Sequence, residues 1–208
     1  MSETLNNTLL LLNGLSVNTL ERLSYKSNLG ISLKRNLHYF PKEDLLTELE
    51  KMTEWYDMQE VLHDIAIDYR IKSMESIEAK YKRYFPNRQV RQVFNDILGF
   101  RAFCDDYTDV INLEDDLFRV VDMTSGKSED DGYRGVHVYY QIDNDHYPIE
   151  IQFNTLYDRQ LNNWLHDYLY KKSYPNTIGQ NMRREYENGR IKNAKDFEEV
   201  LKNVLSDC

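Results

Sequence analysis

Two consecutive segments in which apolar and polar residues alternate constrain the fold most. Segments 133–142 and 146–153 each have the pattern of a β-strand, and the Asp-Asn-Asp turn at 143–145 joins them. Three more extended segments are predicted, at 69–72, 97–104 and 117–123. Because helical patterns flank this run of strands, we expect an α+β fold with a mixed central sheet of about five strands flanked by helices.

The spacing of apolar residues predicts the helices. Pro41 and the acidic residues that follow mark a helix start, after which apolar residues recur at helical spacing. Helices are predicted at 3–14, 43–67, 73–85, 109–116, 155–172, 179–190 and 194–206. The polar segment 124–132 is predicted to be a loop.

The composition excludes several classes of protein. With 208 residues, 41% hydrophobic and 29% charged, the chain is neither disordered nor collagen-like. Its apolar runs are far shorter than the roughly 20 residues of a transmembrane helix, and no basic N-terminal region predicts a signal peptide. Cys104 and Cys208 are too few for a disulfide framework. We therefore expect a cytoplasmic protein without a membrane partner.

The net charge of −9 conceals an uneven distribution. Residues 105–131 contain ten acidic and two basic residues, whereas residues 69–101 contain eight basic and three acidic residues. Residues 183–195 contain five basic and two acidic residues. Such runs are typical of solvated surfaces, but a basic block can also attract an anionic substrate.

Five polar donors are expected to converge near the start of the predicted helix 73–85. Ser76, Lys80 and Arg83 lie on one helix face, at positions i, i+4 and i+7. Arg70 and Lys72 share one side of the preceding strand. Fixed positive charge near a helix N-terminus suits a polyphosphate. The alternative is an amphipathic helix with a solvated basic face.

A second informative segment is Asp-Ile-Leu-Gly-Phe-Arg, residues 96–101. An acidic residue, Asp96, precedes an apolar strand that contains Arg101. An arginine in a buried strand is costly unless it is paired or used by a ligand. The alternative to a ligand is an ion pair with Asp96 or with a nearby glutamate.

Two glycines bracket Tyr133 and Arg134 where the polar loop ends. Glycine allows a ligand to approach the backbone closely, and Tyr133 offers a stacking face. His137 lies on the same side of the predicted strand and offers a hydrogen bond. The alternative is an ordinary hairpin entry with a core histidine.

The next strand places Glu150, Gln152 and Asn154 on one face. A carboxylate in such a row is a candidate metal ligand or general base. The alternative is an edge strand with one solvated face. His166, in the following helix, is expected to pack in the core.

The order and spacing of these segments resemble the RelA/SpoT nucleotidyltransferase family. The matching patterns are R-x-K-x3-S-I-x2-K, D-I-x-G-x-R, G-Y-R-x-x-H, E-I-Q-x-x-T and H-x3-Y-K, the last running from His166 to Lys171. The resemblance covers residues 69–172, and the chain length resembles the small alarmone synthetases. It implies a single domain, 1–208, in which a helical segment (1–68) and C-terminal helices (173–208) flank a catalytic core.

The resemblance also implies an activity and roles for the residues. The family transfers pyrophosphate from ATP to a ribose 3′-hydroxyl and releases AMP. ATP contacts are implied for Arg70, Lys72, Ser76, Lys80, Arg83 and Arg101. Asp96 and Glu150 are implied to be catalytic and to hold Mg²⁺, with Glu150 also a candidate base. Acceptor contacts are implied for Tyr133, His137, Gln152 and Asn154.

The chain departs from the family pattern on the acceptor side. The acidic stretch Ser-Glu-Asp-Asp at 128–131 replaces a basic stretch, and Asn154 stands where an arginine is usual. Three hypotheses follow: a synthetase of (p)ppGpp from GDP or GTP, a toxic enzyme that modifies the tRNA 3′ end, and a non-catalytic nucleotide-binding regulator. The basic C-terminal region is a candidate RNA contact. A homo-oligomer and a neutralising antitoxin are left open as partners.

Overall fold

The structure is a computed structural model that describes residues 8–172 and 174–206. Residues 8–12 are helical, and the rest of the predicted helix 3–14 before them lies outside the described residues, as does Cys208. The labelled α-helices are α1 (Val17–Arg22), α2 (Lys42–Asp57), α3 (Met74–Tyr84), α4 (Val90–Val93), α5 (Thr108–Ile111), α6 (Leu156–Tyr168), α7 (Asn176–Glu187) and α8 (Ala194–Ser206). The strands are β1 (Tyr69–Ile71), β2 (Leu98–Phe103), β3 (Phe118–Asp122), β4 (Val136–Tyr140) and β5 (Ile149–Asn154). Short 3₁₀ helices span Leu37–Tyr39, Glu60–Asp64 and Tyr170–Lys172.

The chain forms two compact units. The first comprises the described residues up to Ala102, together with Asp109–Val120 and His137–Gln152. The second comprises Phe103–Thr108, Val121–Val136 and the described residues from Phe153 onward. The predicted boundaries before residue 69 and after residue 172 do not coincide with these units, and the single-domain organisation stays a prediction.

The first unit contains most of every strand of a five-stranded sheet. The strand order is β1-β2-β5-β4-β3, and β1 pairs antiparallel with β2, with Arg70 opposite Gly99. The α+β class with a mixed sheet flanked by helices is therefore confirmed. Alternation along β4 buries the side chains of Val138 and Tyr140 in the core and leaves those of His137 and Tyr139 half-buried on the other face.

Two helices of the first unit differ from their predicted lengths. The predicted helix 43–67 ends at Asp57, because the side-chain amide of Gln59 donates to the carbonyl of Trp55 and the chain then turns into the 3₁₀ helix 60–64. The predicted helix 109–116 is reduced to the single turn α5. There the carboxylate of Asp115 accepts from the backbone amide of Leu117, which favours a turn over a further helical turn.

The second unit is built around α6, α7 and α8. Its core comprises Leu161, Trp164, Leu165, Leu169, Ile178, Met182, Tyr186, Ile191, Phe197 and Leu201. Thr155 caps α6 by accepting from the amide of Asp158. The expectation that His166 packs in the core is wrong: its side chain is 53% exposed, because helical spacing turns it away from Leu161 and Leu165.

None of the helices among residues 8–172 and 174–206 is long and apolar enough to cross a membrane.

Candidate active site

A buried carboxylate surrounded by cations lies just before β2 in the first unit. Lys72 Nζ lies 2.6 Å from Oδ2 of Asp96, and Lys80 Nζ lies 2.9 Å from Oδ1. Arg70 Nη2 lies 3.9 Å from Oδ2, and its side chain is half exposed. Burial lowers the pKa of Lys72, and the charge of Asp96 counteracts this effect. Three cations around one carboxylate leave an excess of positive charge that suits an anionic ligand.

The start of α3 positions these donors. Ser73 caps the helix: its hydroxyl accepts from the amide of Ser76 and donates to the Ser76 hydroxyl. Lys80, one turn further along α3, reaches both Asp96 and the carbonyl of Val93. The structure therefore brings four of the predicted ATP-binding residues close to Asp96 or to one helix start: Arg70, Lys72, Ser76 and Lys80.

The other two predicted ATP-binding residues lie apart from this cluster. Arg83 is exposed in the last turn of α3, and Arg101 is half-buried in β2. Within the described part of the chain, neither has a carboxylate within 4 Å. The ion pair with Asp96 that offered an alternative explanation for Arg101 is therefore not formed, since Asp96 pairs with Arg70, Lys72 and Lys80 instead.

Glu150 is a further buried carboxylate of the first unit. Its Oε1 lies 3.0 Å from His137 Nδ1 and accepts a 3.1 Å hydrogen bond from the Tyr139 hydroxyl. Its Oε2 accepts a 2.6 Å hydrogen bond from the Gln152 amide. Burial raises the pKa of Glu150, but His137, Gln152 and Tyr139 outweigh it and hold this pKa at about 2. The carboxylate is therefore ionised at neutral pH.

Gly99 makes room for this carboxylate. A Cβ atom at position 99 would lie 3.3 Å from Oε2 of Glu150, closer than ordinary van der Waals contact. A larger side chain in β2 would therefore push against Glu150 in the neighbouring strand β5. The sequence places Gly99 in a motif, but the strand order is needed to show that the missing side chain leaves space for Glu150.

Sequence reasoning missed Tyr139. It lies two residues after His137 on the same strand face and completes the set of donors to Glu150. Tyr139 belongs to no motif, so the only available signal was its alternation with His137. The guanidinium of Arg119, on β3, lies 4.2 Å from the centre of the Tyr139 ring.

Tyr133 lies in the second unit, in a loop built by acidic residues. Asp130 accepts from the amide of Gly132 and forms two hydrogen bonds, of 2.7 and 3.0 Å, with Arg134. Asp131 accepts from the amide of Tyr133, and its carboxylate pairs with Lys127 at 2.6 Å. Two of the three acids that precede Tyr133 are thus neutralised and define the turn.

Lys127 lies over the face of Tyr133. Its Nζ atom is 4.8 Å from the centre of that ring and 5.8 Å from the centre of the Tyr170 ring. A cation over an aromatic face is stabilised by the ring quadrupole. The stacking residue predicted from the sequence therefore carries a basic residue directly on its ring.

Asn154 and Arg183 form hydrogen bonds to the main chain of the same loop. The buried amide of Asn154 donates to the carbonyl of Arg134, and Arg183 donates to the carbonyl of Gly132. Arg183 is 2% exposed and also pairs with Asp158 at 2.6 Å. Asn154, predicted to contact the acceptor, is thus engaged with the main chain.

Residues 69–174 match the family described as the region found in RelA / SpoT proteins. No curated protein matches the chain.

Solved structures that match this chain include small alarmone synthetases. Small alarmone synthetase 1 of Bacillus subtilis, bound to its product pppGpp, is 21% identical with a TM-score of 0.42; the match covers 78% of this chain and 88% of that chain. Small alarmone synthetase 2 of Bacillus subtilis is 20% identical with a TM-score of 0.42, over 79% of this chain and 90% of that chain. A GTP pyrophosphokinase family protein of Streptococcus pneumoniae is 20% identical with a TM-score of 0.42, over 79% and 93%.

The family match extends over more than half of the chain and includes both Asp96 and Glu150, two buried carboxylates of the first unit. The resemblance predicted from the order of the motifs is thereby confirmed. The chain belongs to the RelA/SpoT family.

Proposed function

We propose that the protein transfers pyrophosphate from ATP to the ribose 3′-hydroxyl of GDP or GTP. The observation that carries this proposal is two buried carboxylates in the first unit, Asp96 among cations and Glu150 among the hydrogen-bond donors His137, Tyr139 and Gln152. Membership of the RelA/SpoT family supports pyrophosphate transfer as the reaction.

The cations around Asp96 would bind the phosphates of ATP. Arg70, Lys72 and Lys80 present three positive charges to one carboxylate, so a triphosphate would restore electrostatic balance. Ser76 adds a hydroxyl in the first turn of α3, where backbone amides also favour phosphate. Arg83 and Arg101, which have no carboxylate partner among the described residues, remain available to stack on adenine.

The two carboxylates also fit Mg²⁺. Mg²⁺ prefers oxygen ligands and is commonly held by one or two carboxylates together with substrate phosphates. Burial raises the pKa of Tyr139, and the negative charges of Glu150 and Asp96 raise it further. Both carboxylates therefore influence the same side chain. When bound, Mg²⁺ would neutralise charge that develops on the phosphates. Asp96 would bind it by giving up one of its lysine contacts.

Glu150 would orient the acceptor. In the transfer, the acceptor 3′-oxygen forms a bond to the β-phosphorus of ATP, the bond from that phosphorus to the α–β bridging oxygen breaks, and AMP leaves. The hydroxyl proton passes to Glu150. Since the pKa of Glu150 is held at about 2, we expect the proton to move late, as the new bond forms.

Tyr133 would stack on the guanine of the acceptor. The acidic stretch before it opposes a nucleotide diphosphate less than its sequence indicates, because Asp130 and Asp131 are paired with Arg134 and Lys127. Lys127 already lies on the Tyr133 ring, where it would meet the base or its phosphates. This pairing favours a free guanine nucleotide.

The same loop and the C-terminal helices offer less to tRNA. Of the basic residues in 183–195, Arg183 is buried and bound to Asp158, and Arg190 pairs with Glu185 at 2.7 Å. Segment 183–195 therefore offers fewer unpaired basic side chains to an RNA backbone than its five basic residues indicate. The test below distinguishes this proposal from a tRNA-modifying enzyme and from a non-catalytic regulator.

The test uses ATP labelled in its γ-phosphate. Wild-type protein and the Glu150→Gln variant are incubated separately with GDP, GTP and bulk tRNA in the presence of Mg²⁺. GDP or GTP that carries a labelled 3′-pyrophosphate, formed only by wild type, supports the proposal. Labelled tRNA alone would identify the tRNA-modifying enzyme, and ATP binding without transfer to any acceptor would identify the regulator.

A further inference from the structure

Tyr139 shares one oxygen of Glu150 with His137. Its hydroxyl donates to Oε1 over 3.1 Å and lies 3.4 Å from His137 Nδ1. Gln152 takes the other oxygen, Oε2. Each oxygen of the carboxylate therefore has its own donor, and Oε1 has two.

This arrangement matters because a glutamate carboxylate rotates easily about its last torsion, which has a broad energy profile. A donor on only one oxygen leaves that rotation open. His137 and Gln152 give each oxygen one donor, and Tyr139, the second donor to Oε1, further restricts the plane of the carboxylate and the direction of its free lone pairs. A reacting group gains rate when it is held close to its productive geometry.

Tyr139 is itself held in place. The Arg119 guanidinium lies 4.2 Å from the centre of its ring, and the ring packs edge-on to His137, with centres 6.3 Å apart. Arg119 lies on β3, the strand beside β4, so the ring of Tyr139 is contacted by a residue of the neighbouring strand and by His137 of its own strand. These contacts hold the ring so that its hydroxyl faces Glu150 and His137.

We propose that Tyr139 is a positioning residue for Glu150, which fixes the carboxylate plane for the acceptor hydroxyl through its hydrogen bond to Oε1. This inference rests on the proposed pyrophosphate transfer. Tyr139 acts through Glu150 and contacts neither substrate, so it contributes to turnover and not to substrate affinity.

The matched pair of variants is Tyr139→Phe and Tyr140→Phe. Both remove one hydroxyl from adjacent residues of β4. Within the described residues, the buried hydroxyl of Tyr140 has no hydrogen-bond partner, so its loss should leave turnover unchanged. For Tyr139→Phe we expect kcat to fall about tenfold, the effect of losing one hydrogen bond to a charged group, with KM for ATP and acceptor within about twofold of wild type.

Three kinetic outcomes would overturn the inference. They are a Tyr139→Phe kcat within twofold of wild type, a loss carried entirely by KM, and an equal fall in Tyr140→Phe. An unchanged kcat would show that Tyr139 has no role in turnover. A loss carried by KM would show that Tyr139 contributes to substrate binding. An equal fall in Tyr140→Phe would show that the effect comes from packing in β4.

Crystal structures of both variants separate this inference from the proposed function. In Tyr139→Phe, the Glu150 carboxylate should rotate or show two orientations, whereas Tyr140→Phe should retain the wild-type orientation. An unmoved carboxylate in Tyr139→Phe overturns the inference. Absence of transfer by wild type to any acceptor would overturn the proposed function, and the crystal structures would still decide whether Tyr139 positions Glu150.

Discussion

The ammonium group of Lys72 lies 2.6 Å from Oδ2 of Asp96, although only 9% of the lysine side chain is exposed. A buried ion pair loses hydration, so it stabilises a fold little compared with well-packed apolar residues. Lys80 and Arg70 add further positive charge to the same carboxylate. We therefore interpret the cluster as preorganised for a phosphate ligand.

Removing one cation from this cluster should weaken ATP binding. We expect Arg70→Ala and Lys80→Ala each to lower affinity for a non-hydrolysable ATP analogue about tenfold, since a charge-assisted hydrogen bond contributes about 1.5–3 kcal/mol. The measurement is isothermal titration calorimetry. Lys82→Ala is the matched control, because Lys82 is exposed on the same helix as Lys80 and, among the described residues, forms an ion pair with Glu78 alone, at 4.0 Å. Equal affinity for the ATP analogue in all three variants would show that the cluster does not bind the phosphates of ATP.

Replacing Glu150 by glutamine should abolish transfer without unfolding the protein. The substitution retains size but removes the charge that His137, Tyr139 and Gln152 are arranged to bind. We expect a loss of at least ~10² in turnover, typical of a missing acid–base group. Turnover is measured alongside the circular dichroism spectrum, with the exposed Glu54→Gln as control. Near wild-type turnover would remove Glu150 from the mechanism.

The depressed pKa of Glu150 makes the fold sensitive to acid. Its pKa is held at about 2 against an ordinary value of 4.5, so the stabilisation is complete above pH 4.5 and is lost as the pH falls towards 2. The full shift corresponds to about 3 kcal/mol. Urea unfolding of wild type should show this loss, and Glu150→Gln should show a smaller pH dependence in that window. Parallel curves would show that other carboxylates cause the acid sensitivity.

Glu129 is the acidic residue before Tyr133 that forms no ion pair within the described residues. We expect Glu129→Lys to lower KM for GDP a few-fold, because reversing a charge about 8 Å from a phosphate changes the energy by about 1 kcal/mol in a water-like dielectric. Labelling of tRNA should not increase except through non-specific binding that weakens steeply with salt. KM for GDP is measured at two salt concentrations.

Asp130→Lys is the informative contrast to Glu129→Lys. Asp130 binds Arg134 and the amide of Gly132, so its replacement should disturb the loop and raise KM for GDP. If both variants lower KM equally, Asp130 acts only through its charge. If neither changes KM, the loop does not act on the acceptor.

The sequence predicted the strands of the sheet and which residues share one face of a strand or helix, because periodicity encodes both. Alternation in β5 places Glu150 and Gln152 on one face, and helical spacing places Lys80 one turn after Ser76. These are local rules that need no knowledge of strand order.

Contacts between distant segments could not be predicted in this way. The role of Gly99 depends on β2 lying beside β5, and that of Tyr139 on β4 lying beside β5 on its other edge. The pairing of Asp131 with Lys127 cannot be read from a count of charges, which shows only that the stretch is acidic. Local charge counts say how many charges a segment has, and only the fold shows which of them are neutralised.

The most direct test of the account is the identity of the products, measured by ³¹P nuclear magnetic resonance after incubating the protein with Mg²⁺, ATP and GDP. Transfer of a pyrophosphate group predicts one AMP and one GDP bearing a new 3′-pyrophosphate for each ATP consumed, and neither product with Glu150→Gln. Formation of ADP or inorganic phosphate in place of AMP, or the same products from Glu150→Gln, would contradict the account.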